Sequence, residues 1–128
     1  MKLHHIGIAV KNIDEYYERI LKPLLGVSMI SDIIINESQH SRIAFVENEQ
    51  SVKIELIEAI DENSPSYNLM KNRNGGFYHL GFVTSDFEND IKDLRKRKFL
   101  LISKKEGVAF LVAPTFEIYE LLDQSAGW

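Results

Sequence analysis

The sequence predicts an α+β fold in which two tandem βαβββ modules form a curved mixed sheet. Residues 5–14, HIGIAVKNID, and residues 79–88, HLGFVTSDFE, read alike at an offset of 74. Residues 41–58, SRIAFVENEQSVKIELIE, align with 106–123, EGVAFLVAPTFEIYELLD, at a constant offset of 65. That second alignment pairs Ala44 with Ala109, Phe45 with Phe110, Glu55 with Glu120 and Leu56 with Leu121. Self-similarity of this kind marks a duplicated supersecondary unit. Within each copy the apolar pattern passes from alternation to helical period and back to alternation, which predicts strand, helix, then strands.

In the first copy, a strand over 3–10 leads into a helix of about 12–24. Asn12 and Glu15 stand at capping-box spacing, and Ile13, Tyr16 or Tyr17, Ile20 and Leu24 recur at helical period. Gly26 ends that helix. Strands follow at about 27–35, 41–47 and 51–59. The second copy has a strand at 77–84 and a helix at about 85–97. Ser85 and Glu88 are its capping pair, and Phe87, Ile91 and Leu94 face the core. Strands at 99–103, 107–113 and 116–123 complete it. Asn63, Ser64, Pro65, Gly75 and Gly76 punctuate the connection between the copies, which holds a short helix near 65–72. One βαβββ unit alone leaves a sheet face bare, so the two are expected to share one domain, 1–128. Module one is 1–60, the linker 61–76 and module two 77–128.

A chain of 128 residues is long enough to bury a core. Absence of cysteine excludes disulfides, thiolate metal sites and cysteine nucleophiles, so any metal must take nitrogen and oxygen ligands. A net charge of −4 argues against general nucleic-acid binding. Lys92, Arg95, Lys96, Arg97 and Lys98, with Lys104 and Lys105, form a local basic stretch that reads as a solvated helix C-terminus, the alternative being contact with a phosphorylated ligand. No apolar run reaches the length of a membrane span and no leader precedes the first strand. A cytoplasmic protein is the expectation, with no membrane partner.

Polar residues that recur at equivalent strand positions in both copies can converge. His5 and His79 open the first strands, and Glu55 and Glu120 sit in last strands among apolar neighbours, where an unpaired carboxylate is costly. Two histidines and two carboxylates suit a divalent ion such as Zn²⁺, Ni²⁺, Co²⁺, Mn²⁺ or Fe²⁺. Alternation turns Glu58 to the face opposite Glu55. His4 and His40 have no counterpart in the repeat and read as surface residues, His4 pointing opposite to His5.

LHHIGIAVKNID, VKIELIEA, GGFYHLGFVTSDFE and GVAFLVAP with IYELLD resemble the vicinal oxygen chelate superfamily of glyoxalases, bleomycin-resistance proteins and dioxygenases. The resemblance covers essentially the whole chain and is closest in motif to the methylmalonyl-CoA epimerase branch. It implies a vicinal oxygen chelate-like fold around a metal held by His5, Glu55, His79 and Glu120. It also implies an isomerase that removes a proton next to a carbonyl through a metal-stabilised enolate, with Glu120 as base and Glu37 as second acid. The small-molecule substrate that the resemblance implies is an acyl thioester. The alternatives are a glyoxalase I-type lactoylglutathione lyase acting on the thiol adduct of a ketoaldehyde, and a non-catalytic small-molecule binding protein. A homodimer is expected, with Tyr16, Tyr67 and Trp128 as exposed aromatic candidates. Three departures from the epimerase branch bear on substrate recognition: Tyr78 beside His79, a short glycine-poor stretch between Ser103 and Phe110, and Phe116 only two residues after Pro114 with no glycine turn before the last strand.

Overall fold

The computed structural model describes residues 1–26, 29–47 and 52–128. The starts of two expected strands, residues 27–28 and residue 51, lie outside them. The chain divides into two compact units, Ile6–Tyr78 and a second made of Met1–His5 with His79–Trp128. These are not the two sequence copies, because the first five residues belong with the second copy.

In the unit Ile6–Tyr78, strand β1 (Lys2–Ala9) contributes its later residues and is followed by a helical rod. The rod comprises α1 (Ile13–Tyr16), a π-helical turn (Tyr17–Leu21) and α2 (Lys22–Leu25). Asn12 caps it as expected, its side chain accepting from the Glu15 N–H at 2.9 Å. Pro23 has no N–H and its ring crowds the carbonyl four residues back, so the preceding turn widens and the Lys22 N–H reaches Tyr17 O. That widening changes the buried stripe. Ile13, Tyr17 and Leu21 are buried, whereas Ile20 and Leu24, expected in the core, are exposed. Tyr16 and Tyr67 are half-buried and Trp128 is exposed.

The expected strand at 27–35 is two short ones, β2 (Met29–Ile30) and β3 (Ile34–Asn36), both antiparallel to β4 (Ser41–Glu47). β4 pairs with β5 (Lys53–Ala59) from Ser41↔Ala59 to Val46↔Ile54, and β1 neighbours β5. Val10, Ile13, Tyr17, Leu21, Ala44, Val46 and Leu56 pack into one core between helix and strands. Glu58, on the helix side of β5, accepts from the Ile13 N–H at 3.0 Å. It thereby satisfies a donor that the first turn of any helix leaves unpaired. The linker helix α3 (Tyr67–Arg73) ends at Asn74 in the left-handed region. Beyond it Gly75, φ +100°, has room for no side chain, since a Cβ there would lie 2.5 Å from Ala9 O. Buried Ser41, Ser64 and Ser66 share hydroxyl hydrogen bonds that tie the linker to β4.

The other unit holds part of β6 (Gly76–Thr84), then α4 (Phe87–Lys96), β7 (Leu100–Lys105), β8 (Val108–Val112) and β9 (Ile118–Asp123). β6 and β9 run parallel, from His79↔Ile118 to Thr84↔Asp123, and β9–β8–β7 continue antiparallel. Phe87, Ile91, Ala109, Leu111 and Leu121 form the core, with Leu94 packed against it. Ser85 and Glu88 do not cap α4. Its N-cap is Asp86, whose N–H donates to Thr84 Oγ1 at 3.0 Å, while the Thr84 hydroxyl donates to the Asp90 carboxylate. The buried hydroxyl accepts the N–H of the N-cap residue, the part that the capping pattern assigned to Glu88.

β9 begins two residues later than expected, because Pro114, Thr115 and Phe116 form a hairpin loop. Phe116 N–H bonds Ala113 O at 2.8 Å and Ala113 N–H bonds Glu117 O at 2.9 Å. A three-residue loop of this kind needs a left-handed third residue, usually glycine. Here it is Phe116, at φ +76° and 85% exposed. No helix among the described residues is long and apolar enough to cross a membrane.

Two stability changes follow. Glu58→Ala removes a helix-cap acceptor and should lower unfolding free energy by about 1 kcal/mol, read from urea denaturation. Phe116→Gly relieves left-handed backbone strain with little burial to lose, and the same measurement should give a gain of roughly 0.5–1 kcal/mol.

Candidate metal centre

Each closing strand shows two faces. In one unit Leu56 faces the helical core while Glu55 turns the other way, opposite Phe45 across the β4–β5 ladder. In the other, Leu121 faces α4 while Glu120 turns the other way, opposite Phe110 across β8–β9. The 65-residue offset thus repeats a Phe–Glu cross-strand pair. Both carboxylates are buried, Glu55 at 8% and Glu120 at 6% exposure.

The parallel register of β6 and β9 sets Gly81 beside Glu120. A Cβ on Gly81 would lie 2.1 Å from His5 Cε1, so only glycine leaves space for the His5 ring there. The ring fills that space, and His5 Nε2 stands 3.2 Å from Glu120 Oε1 and 2.8 Å from His79 Nε2. His79 Nε2 is 4.0 Å from Glu120 Oε2. Both histidines are 1% exposed. Phe110 meets the His79 ring edge-on at 5.5 Å, and the His5 and His79 rings are perpendicular.

These separations test whether the residues fit a metal ion. A neutral imidazole carries one proton on two nitrogens. His5 Nε2 cannot both accept from His79 and donate to Glu120, yet it lies within hydrogen-bond distance of each. His5 Nε2 instead meets His79 Nε2 at 2.8 Å and Glu120 Oε1 at 3.2 Å, close to the roughly 3 Å that separates donors at right angles on one ion with bonds of about 2.1 Å. Two imidazole nitrogens beside a buried carboxylate are the nitrogen and oxygen donors that a divalent ion takes.

The remaining sequence candidates are placed as follows. Glu55 lies in β5 of the unit Ile6–Tyr78. Glu37 opens an exposed 3₁₀ turn, Glu37–Gln39, in the same unit. Glu58 caps α1, in keeping with its opposite facing. His40 is exposed, 3.4 Å from Asp61.

His4 corrects the sequence reading. It is half-buried, and its Nδ1 lies 2.9 Å from His5 Nδ1 rather than on the opposite face. Burial along β1 still alternates through His5, Gly7 and Ala9, but the two rings meet edge-on at the start of the strand, with Trp128 edge-on to His4 at 6.2 Å. Gly81 was also missed, although the shared His-x-Gly of both copies carried the signal. Gly81→Ala should displace the His5 ring while the fold persists. The expected reading is a loss of metal affinity of about 10-fold or more by competition with a chelator, with near-wild-type far-UV circular dichroism.

A family model described as the glyoxalase/bleomycin resistance protein/dioxygenase superfamily matches residues 4–111. The chain is 29% identical over 106 residues to the uncharacterized protein YqjC of Bacillus subtilis, covering 80% of this chain and 71% of that protein. It is 28% identical to the mitochondrial methylmalonyl-CoA epimerase of Homo sapiens, covering 81% of this chain but only 58% of that protein. Among solved structures, the hypothetical protein BH1468 from Bacillus halodurans superposes with a TM-score of 0.82 at 28% identity, covering 95% of this chain and 93% of that one. Methylmalonyl-CoA epimerase from Mycobacterium tuberculosis gives 0.76 at 24% identity, covering 95% and 87%. A variant of the Streptomyces coelicolor epimerase in complex with 2-nitronate-propionyl-CoA gives 0.78 at 23% identity, covering 96% of each chain. By its fold and by the family match over residues 4–111, the chain belongs to the glyoxalase/bleomycin resistance/dioxygenase, or vicinal oxygen chelate, superfamily.

Proposed function

We propose that the protein is a metal-dependent isomerase that removes a proton next to a carbonyl, acting on an acyl thioester of the methylmalonyl-CoA kind. The observation that carries this reading is the meeting of His5 Nε2, His79 Nε2 and the Glu120 carboxylate at buried positions. Glu55, the repeat equivalent of Glu120, is the proposed fourth ligand. The human relative named as an epimerase, and the acyl-CoA complex of the Streptomyces neighbour, support the substrate class.

A divalent ion held by His5, Glu55, His79 and Glu120 would supply Lewis-acid stabilisation of the charge that develops on a substrate oxygen when the α-proton leaves. The chain's own groups supply the rest. His5 and His79 present neutral imidazole nitrogens and are fixed by packing, so little reorganisation is needed. Glu120 is the proposed base. Its Oε1 faces His5 at 3.2 Å, and Oε2, 4.0 Å from His79 Nε2, is the oxygen that would take the proton. Phe110 at the His79 ring keeps the surroundings apolar, which strengthens every charge interaction there. Glu37 is the proposed second acid for the opposite face. In its exposed turn it would exchange its proton with water, so product should acquire solvent deuterium.

The test is incubation of metal-loaded protein with a methylmalonyl thioester in deuterium oxide. Epimerisation with α-deuterium incorporation is expected. Glu120→Gln should lower both by about 100-fold or more. Glu37→Gln should suppress epimerisation while exchange into the starting epimer continues. No exchange by metal-loaded wild type would sink the epimerase reading. Turnover of a thiol adduct of a ketoaldehyde instead would establish the lyase, and tight ligand binding without exchange a binding protein.

A further inference from the structure

We propose that His4 is a positioning residue for this centre, holding the proton of His5 at Nδ1 and so keeping the Nε2 lone pair of His5 turned towards His79 and Glu120. The inference rests on the metal-site reading above, and it concerns a residue outside the ligand set. Its basis is one contact. His4 Nδ1 and His5 Nδ1 lie 2.9 Å apart, with ring centroids 5.2 Å apart and planes at 88°.

Two nitrogens at that distance share a single proton. If His5 provides it, His4 accepts, His5 Nε2 is left unprotonated, and that nitrogen is available to a metal. If His4 provides it, the His5 proton sits on Nε2, in the space between His79 and Glu120, and blocks coordination. The direction of this one hydrogen bond therefore decides whether His5 can be a ligand. Ligating histidines ordinarily donate their second N–H to a carboxylate or a carbonyl, which fixes the tautomer. An imidazole in that place does the same work and can also reverse it, so the contact persists with and without metal.

Neither ring is left to choose its own orientation. His5 lies over Gly81, where a Cβ would strike it. His4 is half-buried and packs edge-on against Trp128 at 6.2 Å and 81°. The arrangement belongs to the first copy alone, because Tyr78 occupies the position equivalent to His4, 74 residues on. Loss of His4 should thus alter His5 first, and His79 only through the Nε2–Nε2 contact of 2.8 Å.

The test uses the ¹⁵N-labelled full chain. Two-bond ¹H–¹⁵N correlations locate the ring protons of His5 and His79 in metal-free wild type, His4→Ala, His4→Phe and His4→Gln. Zn²⁺ affinity is measured on the same samples by competition with a chromophoric chelator, and folding by thermal unfolding. Wild type should carry the His5 proton on Nδ1. In His4→Ala and His4→Phe it should move to Nε2, with the His79 ring proton passing to Nδ1 because the two Nε2 atoms, 2.8 Å apart, share one proton, and Zn²⁺ affinity should fall about 10–100-fold. His4→Phe keeps a ring against Trp128, so it separates lost packing from lost hydrogen bonding. His4→Gln, whose carbonyl can accept, should restore most of the affinity. An unchanged His5 proton position in His4→Phe overturns the proposal, whether or not affinity falls. If wild type binds no Zn²⁺ the metal reading fails, while the proton positions still decide the role of His4.

Discussion

A carboxylate and two imidazoles buried side by side must find partners for their lone pairs, and the unit that holds His5, His79 and Glu120 is arranged around that demand. The parallel register of β6 and β9 brings Gly81 next to Glu120. Glycine at that point lets the His5 ring lie within 3.2 Å of the carboxylate. Burial of such groups is costly without compensation, and a cation at their meeting point, as proposed, would compensate all three at once. Phe110, edge-on to the His79 ring, shields the cluster on one side.

The strands do two jobs because their side chains alternate. Leu56 and Leu121 seal the helices to the sheet while Glu55 and Glu120, one residue earlier, turn to the opposite face. One residue of slip would exchange these faces and place a carboxylate in the helix core. The Phe45↔Glu55 and Phe110↔Glu120 pairs show the register held in both units. Chemistry and core packing are thereby locked to the same ladder.

Much of this was readable in the sequence because duplication makes a local pattern self-checking. The offsets of 74 and 65 pair Ile13 with Phe87, Tyr17 with Ile91, Ala44 with Ala109 and Leu56 with Leu121, and all of these are buried. Individual helix details were less legible. Pro23 widened a turn and rotated Ile20 and Leu24 out of the core. The apparent capping pair Ser85 and Glu88 lost to a buried threonine hydroxyl, whose partner Asp90 lies a full turn into the helix. The glycine missing before the last strand was replaced by a phenylalanine held in a left-handed conformation, which the hairpin's closing bonds impose.

The sequence by itself determined which residues alternate towards which face, because side-chain period is a local property of backbone geometry. It therefore offered His5, Glu55, His79 and Glu120 as candidates and separated Glu55 from Glu58. Only the tertiary structure decided that Met1–His5 packs with the second copy, that the His5 ring rests over Gly81, and that His4 turns its Nδ1 to its neighbour. Those outcomes depend on distances between residues far apart in the chain and on the volume left by a missing Cβ, neither of which any local period encodes.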